Sequence, residues 1–361
     1  MKRRRFLGST AMTIAAAHLR VLDPLAPRPG SRETGAAEAA ERESRELAAI
    51  GRASQWLNSP RLTAESLRGK VVLVDFWTYT CINWLRTLPY VRAWSQTYQQ
   101  GLVVIGVHTP EFPFEHDLDN VRRGVQQMKV PYPVVIDNDY SIWRAFRNQY
   151  WPALYVIDAQ GRIRDHQFGE GEYERSERAI QRVLSEAGAA GISSGIARVE
   201  GVGFEAAADW TNLRSPETYV LYDRSEGFAS RDAAVVDRRR PYFAAGRLSL
   251  NQWSFVGEWT IGKQATALNK ASGQIVYRFH ARDVHLVMGP PRGTGPIRFR
   301  VTIDGQPPGA AHGLDVDERG SGTASEQRLY QLIRQPKPIV DRTFSIEFLD
   351  AGIEAFSFTF G

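Results

Sequence analysis

The sequence predicts an α/β domain followed by an all-β sandwich, and three observations carry that reading. Continuous apolar runs of strand length alternate with helical stretches between about residues 56 and 187. Beyond Trp210 the apolar period changes to two. Between them, Ala187 to Gly203 is rich in Gly, Ala and Ser, the composition of a linker. A chain of 361 residues also exceeds what one core usually fills.

The elements follow in order. Val71-Val72-Leu73-Val74-Asp75-Phe76 has the length and continuity of a strand buried on both faces. Leu85, Leu88, Val91 and Trp94 fit a helix after it. Leu102 to Val107 is a second buried strand, a polar helix crosses Asp119 to Lys129, and Val134-Val135-Ile136 is a short third strand. Ala153 to Asp158 and Ile163 to Phe168 flank Ala159-Gln160-Gly161 and read as a hairpin; Ser176 to Ala187 closes the unit as a helix. Strand and helix alternation gives an α/β layer structure. In the second half Ile297, Phe299, Val301 and Ile303 alternate with polar residues. So do Phe344, Ile346 and Phe348, and then Phe356, Phe358 and Phe360. With Asp304-Gly305 as turn chemistry, this is an antiparallel sandwich.

The amino terminus has another character. Met1-Lys2-Arg3-Arg4-Arg5-Phe6-Leu7, then an apolar run to Ala17, has the order of a secretory signal, and Arg3 to Leu7 resembles the twin-arginine pattern. An exported, periplasmic or cell-envelope protein is expected. The predicted organisation is signal over 1–24, flexible tether over 25–50, first domain over 51–188, linker over 189–210 and sandwich over 211–361. Nothing after the signal reads as a transmembrane helix. Lys plus Arg exceed Asp plus Glu by 45 to 40, and no long run of one sign appears, so nucleic acid is not the implied partner. Arg238-Arg239-Arg240 reads as a solvated turn.

Cys81 is the single cysteine, which excludes an intramolecular disulfide and a multi-thiolate metal site; no metal or cofactor is expected. Asp75 to Cys81 runs from a buried strand directly into a helix, so the sulfur meets unpaired N–H groups that favour thiolate. A fall in its pKa from about 8.5 to about 6.5 would raise the thiolate fraction at neutral pH roughly 25-fold and lower nucleophilicity about eightfold. The larger benefit is a better leaving group in a mixed disulfide. On position alone, a reactive thiol and a structural one both stand.

The motifs around this cysteine resemble a known family. Val74-Asp75-Phe76-Trp77 before Cys81, Pro89 in the following helix, and Trp151-Pro152 before a strand are similar to the thioredoxin active-site strand, helix proline and cis-proline. Phe76 to Asn83, Gly106 to Phe112 and Asn148 to Pro152 resemble the periplasmic part of DipZ-type proteins, within the TlpA and redoxin group. The likeness continues through Phe168 to Tyr173, Ser215 to Tyr219 and the ending Phe358 to Gly361, so it covers roughly residues 51 to 361. It implies a thioredoxin-like first domain and a jelly-roll, galactose-binding-like second domain akin to a carbohydrate-binding module. It also implies thiol–disulfide chemistry, with Cys81, Asp75 and Pro152 catalytic. Trp77, Thr80, Ile82, Asn83, Trp84, His108, Glu111 and Trp151 would form the surrounding surface.

The family motif Cys-Ile-Asn-Cys is here Cys81-Ile82-Asn83-Trp84. A dithiol enzyme expels its substrate with the second cysteine, and Trp84 cannot do this. The reading is therefore a monothiol: Cys81 attacks a protein disulfide or a peroxide, and an external thiol regenerates it. The rival reading is a redox-inactive exported binding protein whose sandwich docks to cell-wall glycan or a protein partner. Asp75 reads either as the carboxylate that assists proton transfer or as a hydrogen-bonded structural acid. Trp84 is expected to shield the sulfur at the surface, with a core position as the alternative. Gly191-Ile192-Ser193-Ser194-Gly195 lacks the strand a nucleophile elbow needs, and Asp315 to Gly320 reads as a polar turn rather than a calcium loop. Trp253 and Trp259 read as core more readily than as a sugar-stacking platform.

Overall fold

The computed structural model describes residues 45–244 and 246–361, which belong to one compact unit. The export signal expected over 1–24 and residues 25–44 of the expected tether lie outside the described residues. The remainder of that tether is a helix, α1 (residues 45–52), and it is not solvated. Leu47, Ala49 and Ile50 pack into the first domain's core, so ordered structure begins before Trp56.

The first domain holds β1 (Trp56–Leu57), β2 (Val71–Trp77), β3 (Leu102–His108), β4 (Val134–Ile136), β5 (Ala153–Ile157) and β6 (Ile163–Phe168). They form one sheet in the order β1-β4-β3-β2-β5-β6. β2, β3 and β4 run parallel, and β5 and β6 are antiparallel to their neighbours. Helices α2 (Ala64–Leu67), α3 (Ile82–Thr97), α4 (Leu118–Gln127), α5 (Ser141–Ala145) and α6 (Tyr173–Glu186) connect or close it. Central strand β2 shows why the apolar run is unbroken. Leu73 and Trp77 enter one core, Val72, Val74 and Phe76 the other, and no residue of β2 reaches solvent. The expected hairpin is present: Asp158 Oδ1 accepts from the backbone N–H of Gln160 and Arg162, and Gly161 takes a positive φ.

The second domain is a curled, all-antiparallel sheet. Its strands are β7 (Thr218–Tyr219), β8 (Arg239–Tyr242), β9 (Trp253–Ile261), β10 (Thr266–Leu268), β11 (Gly273–Phe279) and β12 (Asp283–Gly289). β13 (Ile297–Ile303), β14 (Ser321–Ala324), β15 (Arg328–Arg334), β16 (Arg342–Phe348) and β17 (Glu354–Phe360) complete it. The order is β14-β13-β16-β11-β9-β10-β17-β12-β15, with β7 beside β17 and β8 beside β9. β9 turns the corner. Its first half pairs with β11 and its second with β10, and Gly257 between them has φ 99°, with a Cα of the neighbouring strand where a Cβ would stand.

Alternation also tells which strands meet the first domain. β13 buries every second residue and exposes or half-exposes the rest. β12 is buried throughout. Val284, Leu286 and Met288 fill the curled sheet's own core, whereas Val287 on the opposite face joins Leu329, Phe356, Tyr219 and Leu221 in the core of the first domain. One face of β7, β12, β15 and β17 is thus the floor on which the first domain sits. Trp253 and Trp259 are fully buried in the sandwich core, so they offer no sugar-stacking platform.

Candidate functional site

Cys81 lies where the first-domain sheet delivers its central strand β2 to a helix. β2 ends at Trp77, a tight turn brings the Cys81 N–H to the Thr78 carbonyl at 3.2 Å, and Cys81 becomes the N-cap of α3. Its half-buried side chain, packed on the first-domain core, borders a cavity of about 380 Å³. Thr80, Ile82, Asn83, Arg86, Glu111, Phe112 and Glu170 line the first-domain wall, and Trp210, Leu213 to Glu217, Ser357, Thr359 and Phe360 the opposite one. The thiol therefore sits at a junction, with both domains around it.

The expected thiolate-favouring geometry is present, but its effect is overruled. Backbone N–H groups of Asn83 and Trp84 pull the pKa of Cys81 down. Burial, and then the Glu111 carboxyl, hold it well above its ordinary value. The resting group is a thiol, contrary to the lowered pKa expected from the helix terminus. Glu111 is itself pushed up to about 8, chiefly by burial and then by the neighbouring Glu217. Tyr219 of the second domain donates its hydroxyl to Glu111 Oε1 and lies 3.2 Å from Glu217 Oε1. Arg224 stands over the Tyr219 ring, 3.8 Å from Glu111. Beneath, buried Glu115 accepts from Thr80 Oγ1 at 2.6 Å and from the backbone N–H of Glu111 and Phe112. Thr80 is thus fixed immediately before the cysteine.

Of the residues expected around the sulfur, Thr80, Cys81, Ile82, Asn83 and Glu111 line the cavity. Trp77, Trp84 and His108 do not border it: all three are fully buried in the core beneath. Trp84 does not shield the sulfur. Its ring stacks on Trp77 at 4.3 Å, and its indole Nε1 donates to Asp75 Oδ2 at 3.0 Å. Tyr132 donates to the same oxygen at 3.0 Å, so Asp75 is engaged with two core aromatics and lies off the cavity lining. Burial nevertheless raises Asp75 from 3.8 to about 6. His108 is kept neutral by burial, its pKa lowered to about 3. The Trp151–Pro152 peptide bond is cis, as the resemblance implied, but neither residue lines the cavity. Trp151 donates to the Thr109 carbonyl at 3.0 Å.

Sequence reasoning missed the second-domain wall, above all Tyr219 and Glu217. The stretch Ser215 to Tyr219 stood out only as part of a resemblance, and nothing in its pattern announces a partner 108 residues earlier. Asp315 to Gly320 is the polar turn expected: Asp317 Oδ1 accepts from the backbone N–H of Arg319 and Ser321. Among the described residues no cluster of His, Cys, Asp or Glu is placed to hold a metal ion. No described helix is long and apolar enough to cross a membrane.

Comparison with known proteins agrees with this architecture. Residues 57–166 match the AhpC/TSA family, and residues 215–361 match the family described as the thioredoxin-like C-terminal domain. Protein DipZ of Mycobacterium bovis is 34% identical over 323 residues, covering 85% of this chain and 41% of DipZ; the Mycobacterium tuberculosis protein gives the same figures. The chain thus spans about two-fifths of the length of these relatives. Thiol-disulfide oxidoreductase YkuV of Bacillus subtilis is 33% identical over 132 residues, covering 36% of this chain and 88% of YkuV. A solution structure of an oxidized thioredoxin-like protein is 32% identical, with a TM-score of 0.34, covering 37% of this chain and 90% of its own. The chain belongs to the thioredoxin-like thiol–disulfide oxidoreductase family and is a homologue of DipZ.

Proposed function

We propose that the chain is an exported monothiol exchange protein that forms and passes on mixed disulfides through Cys81. The observation that carries this reading is the placement of the sole cysteine at the start of α3, open to a cavity walled by both domains. After losing its proton, the Cys81 sulfur attacks one sulfur of a protein disulfide. A new S–S bond forms, the old one breaks, and the second substrate sulfur departs as thiolate. With Trp84 in the core and no second cysteine, nothing within the chain discharges the adduct. An external thiolate must attack it, regenerating Cys81 and carrying the substrate sulfur away in a new disulfide.

The raised pKa sets the pace. Attack at neutral pH is slow because little thiolate is present, while the adduct, beyond the reach of a resolving cysteine, is long-lived. The second domain's part is to wall the cavity. Glycan docking loses its best-placed candidates, since Trp253 and Trp259 are core. Export rests on the basic, then apolar, amino terminus. Recovery of the chain outside the cytoplasm on fractionation supports that part, and strict retention overturns it.

Mass spectrometry of the full chain after exposure to hydroxyethyl disulfide tests the chemistry. One adduct per chain, absent from the Cys81→Ser variant, is expected. An unmodified wild-type chain at alkaline pH, where the thiol ionises, overturns the reading.

A further inference from the structure

Glu111 is held from both domains, and that grip bears on Cys81 across the cavity. We propose that Tyr219, a positioning residue supplied by the second domain, governs how readily Cys81 ionises in the alkaline range by favouring the charged form of Glu111 beside the thiol. The inference rests on Cys81 being the reacting sulfur and concerns the regulation of that same site.

The geometry leaves Tyr219 the direct donor. Arg224, at 3.8 Å from the Glu111 carboxyl, is beyond hydrogen-bond distance, and the Glu111 backbone N–H is committed to Glu115. A phenolic hydroxyl carries one proton, yet Tyr219 lies against both Glu111 and Glu217. Given to Glu111, that proton stabilises the carboxylate. The other charged and titratable groups facing Glu111 divide in sign: Glu217 and Glu115 oppose its charge, Arg224 favours it, and the Tyr140 phenol lies close enough to feel it. Around Cys81 the cavity adds Arg214 and the Arg86–Glu170 pair, closed at 2.9 Å so that its charges cancel locally. Glu111 is the strongest charged opponent of the Cys81 thiolate, ahead of Glu217. Above about pH 8, where Glu111 is charged, it therefore keeps the sulfur protonated, and a neutral Glu111 releases it. The second domain, far away in sequence, acts as a guard on the first domain's thiol.

The test is the rate of Cys81 alkylation by iodoacetamide against pH, in the full chain. The wild-type midpoint is expected above the value of about 8.5 for free cysteine. Glu111→Gln should lower it by about one unit, up to about tenfold more thiolate at a fixed pH between about 8, above which Glu111 is charged, and the midpoint. Tyr219→Phe keeps the ring between Phe112 and Arg224 but deletes the donor. It should lower the midpoint by part of that, roughly two- to threefold in rate at fixed pH. The double variant should match Glu111→Gln alone. A folded Tyr219→Phe chain with the wild-type midpoint overturns the proposal, as does an equal Tyr219→Phe shift in the Glu111→Gln background. Should Tyr219→Phe fail to fold, an unmoved midpoint in Glu111→Gln overturns it alone. Alkylation needs no disulfide substrate, so its outcome is independent of whether the hydroxyethyl adduct forms.

Discussion

Cys81 and Trp84 are three residues apart, on adjoining positions of one helical turn, yet they belong to different environments. The sulfur opens into a cavity among Glu111, Asn83 and residues of the second domain. The indole, one turn deeper, stacks on Trp77 and ties down Asp75. In a two-cysteine protein these positions would act on one bond. Here the outer one opens into a cavity, and the inner one is core. The difference teaches that the position three residues after Cys81 belongs to the core, held there by its own hydrogen bond to Asp75.

The largest expected effect follows from that contrast. Trp84→Ala should cost about 3–5 kcal/mol of stability, from a large cavity and a lost donor to Asp75. Cys81→Ser, at the half-buried cap, should cost within about 1 kcal/mol. Urea unfolding of both variants measures it, and equal losses would erase the distinction between the two positions.

A smaller effect concerns Asp75. Its carboxyl is raised from 3.8 to about 6, so the folded chain binds this proton more tightly than the unfolded chain. The stability it contributes is present below about pH 4 and lost as pH rises through about 6, a swing of about 3 kcal/mol. Asp75→Asn should remove that component. The stability difference between the wild type and this variant, followed from pH 4 to 7.5, should therefore change by about that amount. A flat difference would mean that Asp75 is not held by the core as described. Buried His108 and His285, each lowered to about 3, act in the opposite direction in both proteins, so the subtraction cancels them.

Much of this was legible beforehand, for identifiable reasons. β2 and β3 were readable because both faces of the central sheet are covered, which leaves an unbroken apolar run. β11, β13 and β16 were readable because one face meets solvent and alternation survives. The cysteine at a helix start was evident from the strand running straight into it. Two things were not legible. Which way the fourth motif residue turns depends on how α3 packs on Trp77 and Asp75, a tertiary fact that local pattern does not carry. The sign of the thiol's pKa shift depends on Glu111 and on a tyrosine from another domain, while the helix terminus alone argues the other way.

The lifetime of the Cys81 mixed disulfide tests the central claim most directly. The purified adduct, followed by mass spectrometry without added thiol, should persist, and addition of a small external thiol should discharge it to free Cys81 with the substrate group leaving on that thiol. Spontaneous discharge in the absence of any thiol, or an adduct that no added thiol can reach, would contradict a monothiol exchange site at the domain junction.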